Sequence, residues 1–545
     1  MPNSKSLATE QSILENLFRD LSLTHPSLSK AFYNDLRKCL KRVEHEGLPF
    51  LTQKLPSMAK AVLQGFRTHV FVNPEGFAYK RGTKLPMFLH GLLRQLFDED
   101  GKERADATPN TVRDIMQVLG LFYKCEYPYT EAQKAKVIEN FLAVEDELEK
   151  LLIPYSATLD AAVELISDVF KEFDPMDIKP QHGPGSVATR EKMEEKWEFK
   201  RKYEGIHRVY PYYEYFVPSR GQLTTQDSIR WYRSLTTEEI GVAKVALVNK
   251  DARGPRLISL EPLEYQFIQQ GLHKSVRDHV ESHPLTRGRV NFRDQRINRN
   301  LAAFHSCEGD YATLDMKEAS DRVSVALVER LFSRTPKLLT SLLATRTEAT
   351  LLPDKRIVMM RKFAPMGSAM CFPIEAICFW SLAEAIRRRE RIPGHVFVYG
   401  DDIIVPQELA PHLFSEFPKY GLKFNEDKCF TDGFFRESCG MDAYKGENVA
   451  PIRMRKPWPS KKSGNDPSSV AASVALCNHF YKGGFWSTAR FLESLCRQLV
   501  PSLPYAPLKG DEERFALLRV TRGPAVLPGP NSAKKLTRWN RDTYL

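Results

Sequence analysis

The stretch from His395 to Pro406 constrains the fold most, because a glycine and two adjacent carboxylates separate two short runs of β-branched and aromatic residues. Such runs have the composition of β-strands, and Gly400-Asp401 tolerates the positive φ of a tight two-residue turn. The sequence therefore predicts a β-hairpin with Asp401 and Asp402 at its tip. Adjacent carboxylates repel each other, so a divalent cation that prefers oxygen ligands would stabilise this tip. A solvated acidic turn is the alternative, and four residues alone do not separate the two interpretations.

A third carboxylate lies earlier in the chain. Asp315 ends a β-rich run that begins at Tyr311, and a helical pattern follows it. Three carboxylates at the ends of neighbouring strands could hold two Mg²⁺ ions about 3.5 to 4 Å apart, the arrangement used for in-line nucleotidyl transfer. One ion would activate an attacking 3′-hydroxyl and the other would stabilise the leaving pyrophosphate. We therefore predict that Asp315, Asp401 and Asp402 are catalytic ligands of Mg²⁺, with Mn²⁺ as a substitute.

The composition favours a large folded protein with a polyanionic partner. Of 545 residues, 42% are hydrophobic and 11% are aromatic, which is ample for a large core. The 79 basic and 68 acidic residues give a net charge of +11, which favours nucleic acid as a partner because each neutralised phosphate releases counterions.

The nine cysteines include no Cys-x-x-Cys pair, and neither an 18-residue apolar run nor an N-terminal signal core occurs. We expect mostly buried, reduced thiols in an intracellular protein without a membrane segment.

A basic, turn-rich insert lies between two apolar runs of strand composition. Its cations are Lys250, Arg253 and Arg256. Cations on a fixed scaffold offset the charge of an incoming triphosphate, and arginine can do so through two parallel hydrogen bonds. The sequence thus predicts a nucleotide-binding segment, with an exposed hairpin of solvated charges as the alternative.

Two further segments are candidates for contacts with the nucleotide. Gly367 and Ser368 precede an apolar helix, and the glycine permits the close backbone approach that a template base or nascent base pair needs. Ser320 and Asp321 follow Asp315 by about one helical turn, so either side chain could contact a ribose 2′-hydroxyl. A helix cap is the competing interpretation of both segments.

The remaining segments carry less specific signals. Lys428 follows the hairpin and is a candidate proton donor to pyrophosphate, with an ordinary surface lysine as the alternative.

Residues 1 to about 170 show helical patterns. Between Lys192 and Phe216, aromatic and basic residues interleave, which suits either an RNA channel or a packed core. The chain from Lys509 onward is basic and interrupted by prolines.

In their order along the chain, these motifs resemble the catalytic (beta) subunit of the RNA-directed RNA polymerase, or replicase, of the positive-strand RNA bacteriophages, the leviviruses. The acids are shared by palm polymerases generally, whereas the hexapeptide from Phe435 to Gly440 is the stretch most specific to this family. The resemblance covers about residues 245 to 446. The matching stretches are Lys250 to Pro262, Asp294-Gln295 with Asn298, Ala312 to Asp315 with Ala319 to Asp321, Met366-Gly367, Tyr399 to Asp402, Tyr420 to Phe424 with Lys428, and Phe435 to Gly440.

The resemblance implies an α+β fold with the shape of a right hand. Its parts would be a mainly helical N-terminal region (1–170), fingers with the nucleotide-entry segment (171–300), a palm with an antiparallel sheet (301–434), and a thumb with the basic tail (435–545). It also implies synthesis of RNA from an RNA template and nucleoside triphosphates, in the cytoplasm of an infected bacterium. Host translation elongation factors and a ribosomal protein are further partners that the resemblance suggests.

Two other functions remain open. A reverse transcriptase also places adjacent acids on a hairpin, although Ser320-Asp321 stands where such enzymes usually have an aromatic residue. A non-catalytic viral RNA-binding protein would use the acids structurally, although the order of acids, basic segment and loop favours a polymerase. At Cys371 and Glu375 the chain departs from the Thr and Asn of many viral RNA polymerases.

Overall fold

The computed structural model describes residues 7–217, 225–459, 466–507 and 517–519. Helices and strands are both abundant, so the predicted α+β class is confirmed. The chain divides into two compact units, of which the first comprises Met1–Tyr129, Asn249–Gly254 and Glu447–Leu545, and the second Thr130–Val248 and Pro255–Gly446. Most of the basic tail after Lys509 lies outside the described residues.

The helices are, in chain order, α1 (Ala8–Thr24), α2 (Ser29–Glu46), α3 (Leu55–Thr68), α4 (His90–Leu96), α5 (Pro109–Gly120), α6 (Glu131–Glu149), α7 (Ala157–Phe170), α8 (Glu204–Val209), α9 (Tyr212–Tyr215), α10 (Thr225–Ser234), α11 (Leu263–Ser282), α12 (Arg296–Glu308), α13 (Ala319–Arg322), α14 (Val325–Leu331), α15 (Pro336–Ala344), α16 (Cys371–Arg389), α17 (Ala410–Glu416), α18 (Pro467–Lys482) and α19 (Trp486–Leu499). The strands are β1 (Arg201–Tyr203), β2 (Thr236–Glu238), β3 (Val242–Asp251), β4 (Gly254–Leu260), β5 (Tyr311–Lys317), β6 (Ala349–Leu351), β7 (Ile357–Met359), β8 (Phe397–Tyr399), β9 (Asp402–Pro406), β10 (Lys423–Phe424), β11 (Phe435–Ser438), β12 (Met441–Tyr444), β13 (Glu447–Asn448), β14 (Tyr505–Pro507) and β15 (Leu517–Arg519).

In the first unit, helices from both ends of the chain pack together. Helix α1 contacts α2 and α19. The buried carboxylate of Asp20 in α1 accepts hydrogen bonds from the backbone N–H groups of Ser487 and Thr488, at 2.7 and 2.9 Å. The first N–H groups of a helix have no partner within the helix, so this carboxylate satisfies the start of α19.

The second unit is built around helix α16, which is buried along most of its length from Cys371 to Ile386. A helix that is apolar on nearly every face must lie inside the protein, and α16 packs against α7 and strand β8. Two four-stranded sheets belong to this unit. One has the order β10-β5-β9-β8 and is antiparallel throughout, and the other has the order β4-β3-β6-β7.

The aromatic stretch between Lys192 and Phe216 packs mainly into the core. Tyr203, Tyr210 and Tyr212 are at most 4% exposed, and they contribute to the same apolar core as α16. These three rings cannot stack on bases because they are buried. Trp197 and Tyr213 in the same stretch are 54% and 62% exposed, so the RNA-channel interpretation stays a prediction for them.

The structure bears on two further predictions, the state of the cysteines and the presence of a membrane-spanning helix. All nine cysteines are thiols and seven of them are buried, which confirms the expected reduced, mostly buried state. Within the described residues, no helix has both the length and the apolar character needed to cross a membrane.

Candidate active site

The three predicted acids lie at one end of the antiparallel sheet of the second unit. Asp315 in β5 stands directly opposite Asp402 in β9. Residues directly opposite each other in an antiparallel pair project from the same face of the sheet, so these two carboxylates are neighbours. The adjacency of the two acid-bearing segments, predicted from their order in the sequence, is confirmed.

The acidic hairpin forms as predicted, with one correction. Tyr399 pairs with Asp402, so Gly400 and Asp401 are the two residues of the turn. Gly400 has φ of 62°, as a glycine at the first central position of a hairpin turn often does. The expectation that both acids stand at the tip is wrong for Asp402, because it is the first residue of β9 and is half-buried.

Asp315 is held by the segment that follows the hairpin. The side-chain amide of Asn425 donates to Asp315 Oδ2 at 2.7 Å, and the Asn425 backbone N–H donates to the Asp315 carbonyl at 2.8 Å. Burial raises the pKa of Asp315 to about 6; the charge of Lys428 opposes the rise, and that of Asp401 adds to it. Strand β5 continues to Lys317, so Asp315 does not end its strand.

Asp402 is oriented by a second hairpin, formed by β11 and β12. Ser438 pairs with Met441, and the two turn residues Cys439 and Gly440 have φ of 50° and 75°. Two consecutive positive φ values are typical of a type I′ turn, which here directs the Cys439 N–H to Asp402 Oδ2 at 3.0 Å. Burial raises the pKa of Asp402 to about 7, and the charges of Asp401 and Asp315 add to the rise.

The donor chemistry of this cluster fits a hard divalent cation. All three residues offer carboxylate oxygens, and the raised pKa values of Asp315 and Asp402 reflect like charges and burial that a cation would offset. In the described residues, however, no set of three or more His, Cys, Asp or Glu side chains is already arranged around a single metal position. The structure thus brings the acids together without forming a closed coordination shell.

Lys428 lies beside the acids and has an additional partner. Its Nζ is 3.9 Å from Asp315 Oδ1 and 3.0 Å from Glu437 Oε1. Burial disfavours the charged ammonium, but the carboxylates of Glu437 and Asp315 outweigh it and raise the pKa of Lys428 above its ordinary value. Sequence reasoning assigned no role to Glu437, although its position in the hexapeptide from Phe435 to Gly440 was a signal.

Asp321 is engaged in a buried ion pair. Lys362, which is completely buried, places its Nζ 2.7 Å from Asp321 Oδ1 and 3.1 Å from Glu145 Oε1. The ammonium also lies 3.7 Å from the centre of the Phe141 ring. Lys362 was missed because it comes from a distant part of the sequence with no recognisable motif. Ser320 is buried next to Asp321 on α13.

Glu375 is buried near the start of α16, one turn after Cys371. The Cys371 thiol donates to its carboxylate at 3.9 Å. Burial raises the pKa of Glu375 well above its ordinary value, and the charges of Asp401 and Asp321 add to the rise. The two positions at which the sequence departs from many viral polymerases therefore adjoin the acid cluster.

Gly367 and Ser368 form a tight turn against strand β4. Gly367 has φ of 118°, and a Cβ atom there would lie 2.1 Å from the Ser259 carbonyl oxygen. The Ser259 N–H donates to the Met366 carbonyl at 2.8 Å. Only glycine allows this approach, and the group that approaches Gly367 is the Ser259 backbone. The predicted contact of this turn with a template base or nascent base pair stays a prediction.

The three cations of the basic segment are divided between the units. Arg256 is exposed on β4 in the second unit, whereas Lys250 and Arg253 belong to the first. The Arg253 guanidinium donates to both carboxylate oxygens of Asp251, at 3.1 and 2.8 Å. Lys250 is exposed, and its backbone N–H donates to the Tyr129 hydroxyl.

Comparison with known proteins identifies the family. The family model described as RNA replicase, beta-chain, matches residues 133–463, which is more than half of the chain. This chain therefore belongs to the RNA replicase beta-chain family. The match includes all three acids, Lys428, Glu437 and the Gly367 turn.

Three curated relatives show the extent of the similarity. The RNA-directed RNA polymerase subunit beta of Qbeta virus (strain MX1) is 35% identical over 41% of this chain and 38% of its own length. The RNA-directed RNA polymerase beta chains of Enterobacteria phage GA and Escherichia phage MS2 are 32% and 33% identical, over 45% and 39% of this chain and 43% and 38% of their own lengths. The chain thus aligns with about two fifths of the length of the relatives that it matches.

Proposed function

We propose that this chain is an RNA-directed RNA polymerase that replicates the single-stranded RNA genome of a phage. The observation that carries the proposal is the pairing of Asp315 with Asp402 on adjacent strands, with Asp401 in the turn beside them. Family membership supports it, since the relatives that align with this chain are named as RNA-directed RNA polymerases.

In this proposal the three acids hold two Mg²⁺ ions, or Mn²⁺ as a substitute. When bound, the ions would activate the 3′-hydroxyl and stabilise the leaving pyrophosphate. Lys428 is held charged by its carboxylate neighbours, so it can donate a proton to the pyrophosphate. Asp315 and Asp402 are fixed by hydrogen bonds from Asn425 and Cys439, which limits the freedom of the acid cluster before substrate arrives.

The nucleotide contacts in this proposal are those predicted from the sequence. Arg256 would contact the triphosphate together with Lys250 and Arg253. Asp321 and Ser320 would contact the ribose, and the Gly367-Ser368 turn would face the nascent base pair.

The architecture in this proposal is a right hand with a mainly helical N-terminal region (1–170), fingers (171–300), a palm (301–434) and a thumb (435–545). RNA template, RNA product and nucleoside triphosphates are the partners, in the cytoplasm of an infected bacterium. Host elongation factors and a ribosomal protein would join the assembly, as the resemblance to phage replicases suggests.

The first prediction tests the acids directly. Asp401→Asn should reduce incorporation of labelled ribonucleotide on an RNA template more than tenfold, because it removes a charged metal ligand while keeping the side-chain shape. Binding of the RNA template should be unchanged. Asp354→Asn is the matched control, because Asp354 is an exposed aspartate in the turn between β6 and β7 and is far from the acids in sequence.

Three results would contradict the proposal. Retention of more than about a tenth of the wild-type rate by Asp401→Asn would remove Asp401 from the metal site. Preferential use of deoxynucleotides by the wild-type chain would indicate a reverse transcriptase. Binding of RNA without incorporation of either nucleotide, with purified chain alone and with bacterial extract, would indicate a non-catalytic RNA-binding protein.

A further inference from the structure

A buried carboxyl group, Glu261, lies beneath the Gly367-Ser368 turn and has no role in the chemistry described above. Its side chain is 1% exposed at the end of β4. The carboxyl is within reach of Thr347, Gln269 and Ser368, yet neither of its oxygens makes a hydrogen bond of good geometry. A buried carboxylate without well-made hydrogen bonds destabilises the folded protein.

Other buried polar groups lie near Glu261. The hydroxyls of Ser259 and Thr347 are also buried without a hydrogen-bond partner. Glu261, Arg346, Thr347 and Ser368 line a small pocket with several apolar side chains, and this pocket has no space for a water molecule. A carboxyl group that cannot recruit water in such a site avoids most of the cost by keeping its proton.

The turn above Glu261 is held from two sides. Strand β4 holds it through the contacts of Ser259 with Met366 and Gly367. Helix α11 holds it through Gln269, whose Oε1 accepts from the Ala369 N–H at 3.3 Å, and through His273, whose Nδ1 is 2.7 Å from the Ala369 carbonyl. Glu261 lies between these two supports, against Ser368.

We propose that Glu261 is a positioning residue which, as a neutral carboxylic acid, holds the turn from Met366 to Ala369 in the conformation that admits a nucleotide. This inference rests on the proposed polymerase function. Its consequence is that loss of the Glu261 proton loosens the turn and weakens nucleotide binding without changing the chemical step.

The charges near Glu261 are consistent with a proton that is lost close to neutral pH. Burial raises the pKa of Glu261 to about 7, and the nearby polar groups of Thr347 and Gln269 together with the charge of Arg346 oppose the rise. Tyr265 of α11 is a further titratable neighbour of Glu261, and His273 of α11 contacts the turn at Ala369. Burial raises the pKa of Tyr265, so its hydroxyl is neutral between pH 6.5 and 8.5, and burial lowers the pKa of His273.

The test compares wild type with Glu261→Gln, since glutamine imitates the neutral acid. Steady-state kcat and the nucleotide KM are measured at pH 6.5 and 8.5 with the full chain. We expect the wild-type KM to rise about threefold or more between these pH values, because only the protonated fraction would be competent, while KM of Glu261→Gln stays within about twofold. The kcat of the two proteins should remain similar at each pH.

Glu264→Gln is the matched control. Glu264 is also completely buried, burial raises its pKa to about 7, and its charged neighbours are Arg201 and Glu191 rather than the turn. We expect Glu264→Gln to follow the wild-type pH dependence. A general effect of neutralising a buried acid would instead appear in both variants and would overturn the proposal.

A second measurement does not depend on activity. Hydrogen exchange of the peptide that spans residues 365–370, corrected for the intrinsic effect of pH, should accelerate in wild type between pH 6.5 and 8.5 but not in Glu261→Gln. Identical exchange in the two proteins, or identical pH dependence of KM, would overturn the role of Glu261. A wild-type chain that makes no RNA but shows the expected exchange would refute the polymerase function alone.

Discussion

Asp321 shows how one carboxylate can serve two partners. One of its oxygens is paired with the buried Lys362, but a carboxylate offers about four acceptor positions, so a ribose hydroxyl can still be bound. Asp321→Ala should lower the use of ribonucleotides relative to 2′-deoxynucleotides by about ten- to a hundredfold, the equivalent of about 1.5 to 3 kcal/mol for a lost hydrogen bond to a charged acceptor. Competition between the two nucleotides in a primer-extension assay measures the ratio.

Glu145→Gln provides the control for Asp321, because Glu145 contacts the same lysine from α6. It should affect stability without changing the choice of sugar. Equal losses with both nucleotides in Asp321→Ala would show that the residue has only a structural role. Sugar selection would then be sought at Ser320 or around Ser368 and Cys371.

Arg256 is the one cation of the basic segment that lies in the same unit as the acids. Because it is exposed on β4, Arg256→Ala should leave the fold intact and raise the nucleotide KM if the guanidinium binds phosphate. Arg356→Ala removes another exposed arginine, in the turn before β7, and should leave kcat/KM unchanged. Equal kcat/KM values for wild type and Arg256→Ala with all four nucleotides would exclude the phosphate contact.

At the scale of elements, the acidic hairpin depends on Gly400, which has a positive φ and also packs closely against a neighbouring ring. Gly400 adopts φ of 62°, and a Cβ there would lie 2.2 Å from a ring carbon of Phe372. Gly309 also has a positive φ, of 73°, but no atom lies within 4 Å of an added Cβ. Gly309→Ala should therefore cost about 1 kcal/mol of unfolding free energy, whereas Gly400→Ala should cost more and also impair catalysis. Denaturant unfolding with an activity assay distinguishes them, and equal costs would contradict the Phe372 contact.

The hairpin was predictable because its signal is local: strand composition, a turn glycine and neighbouring acids lie within twelve residues. The pairing of β5 with β9 followed from the order of two such signals. Lys362 and Glu261 could not be found in this way, since their roles arise from contacts between segments far apart in the sequence. The tyrosines before Phe216 were ambiguous because stacking surfaces and buried cores use the same residues.

At the scale of the whole molecule, the net charge of +11 predicts how RNA binding responds to salt. Each phosphate that the protein neutralises releases counterions, so the logarithm of the binding constant should fall linearly with the logarithm of salt concentration. With about four contacts to single-stranded RNA, affinity should fall more than tenfold between 50 and 200 mM salt. Asp401→Asn should show the same slope, because the acids would bind metal rather than the RNA backbone. Affinity that is insensitive to salt would show that the excess of basic residues does not contact RNA.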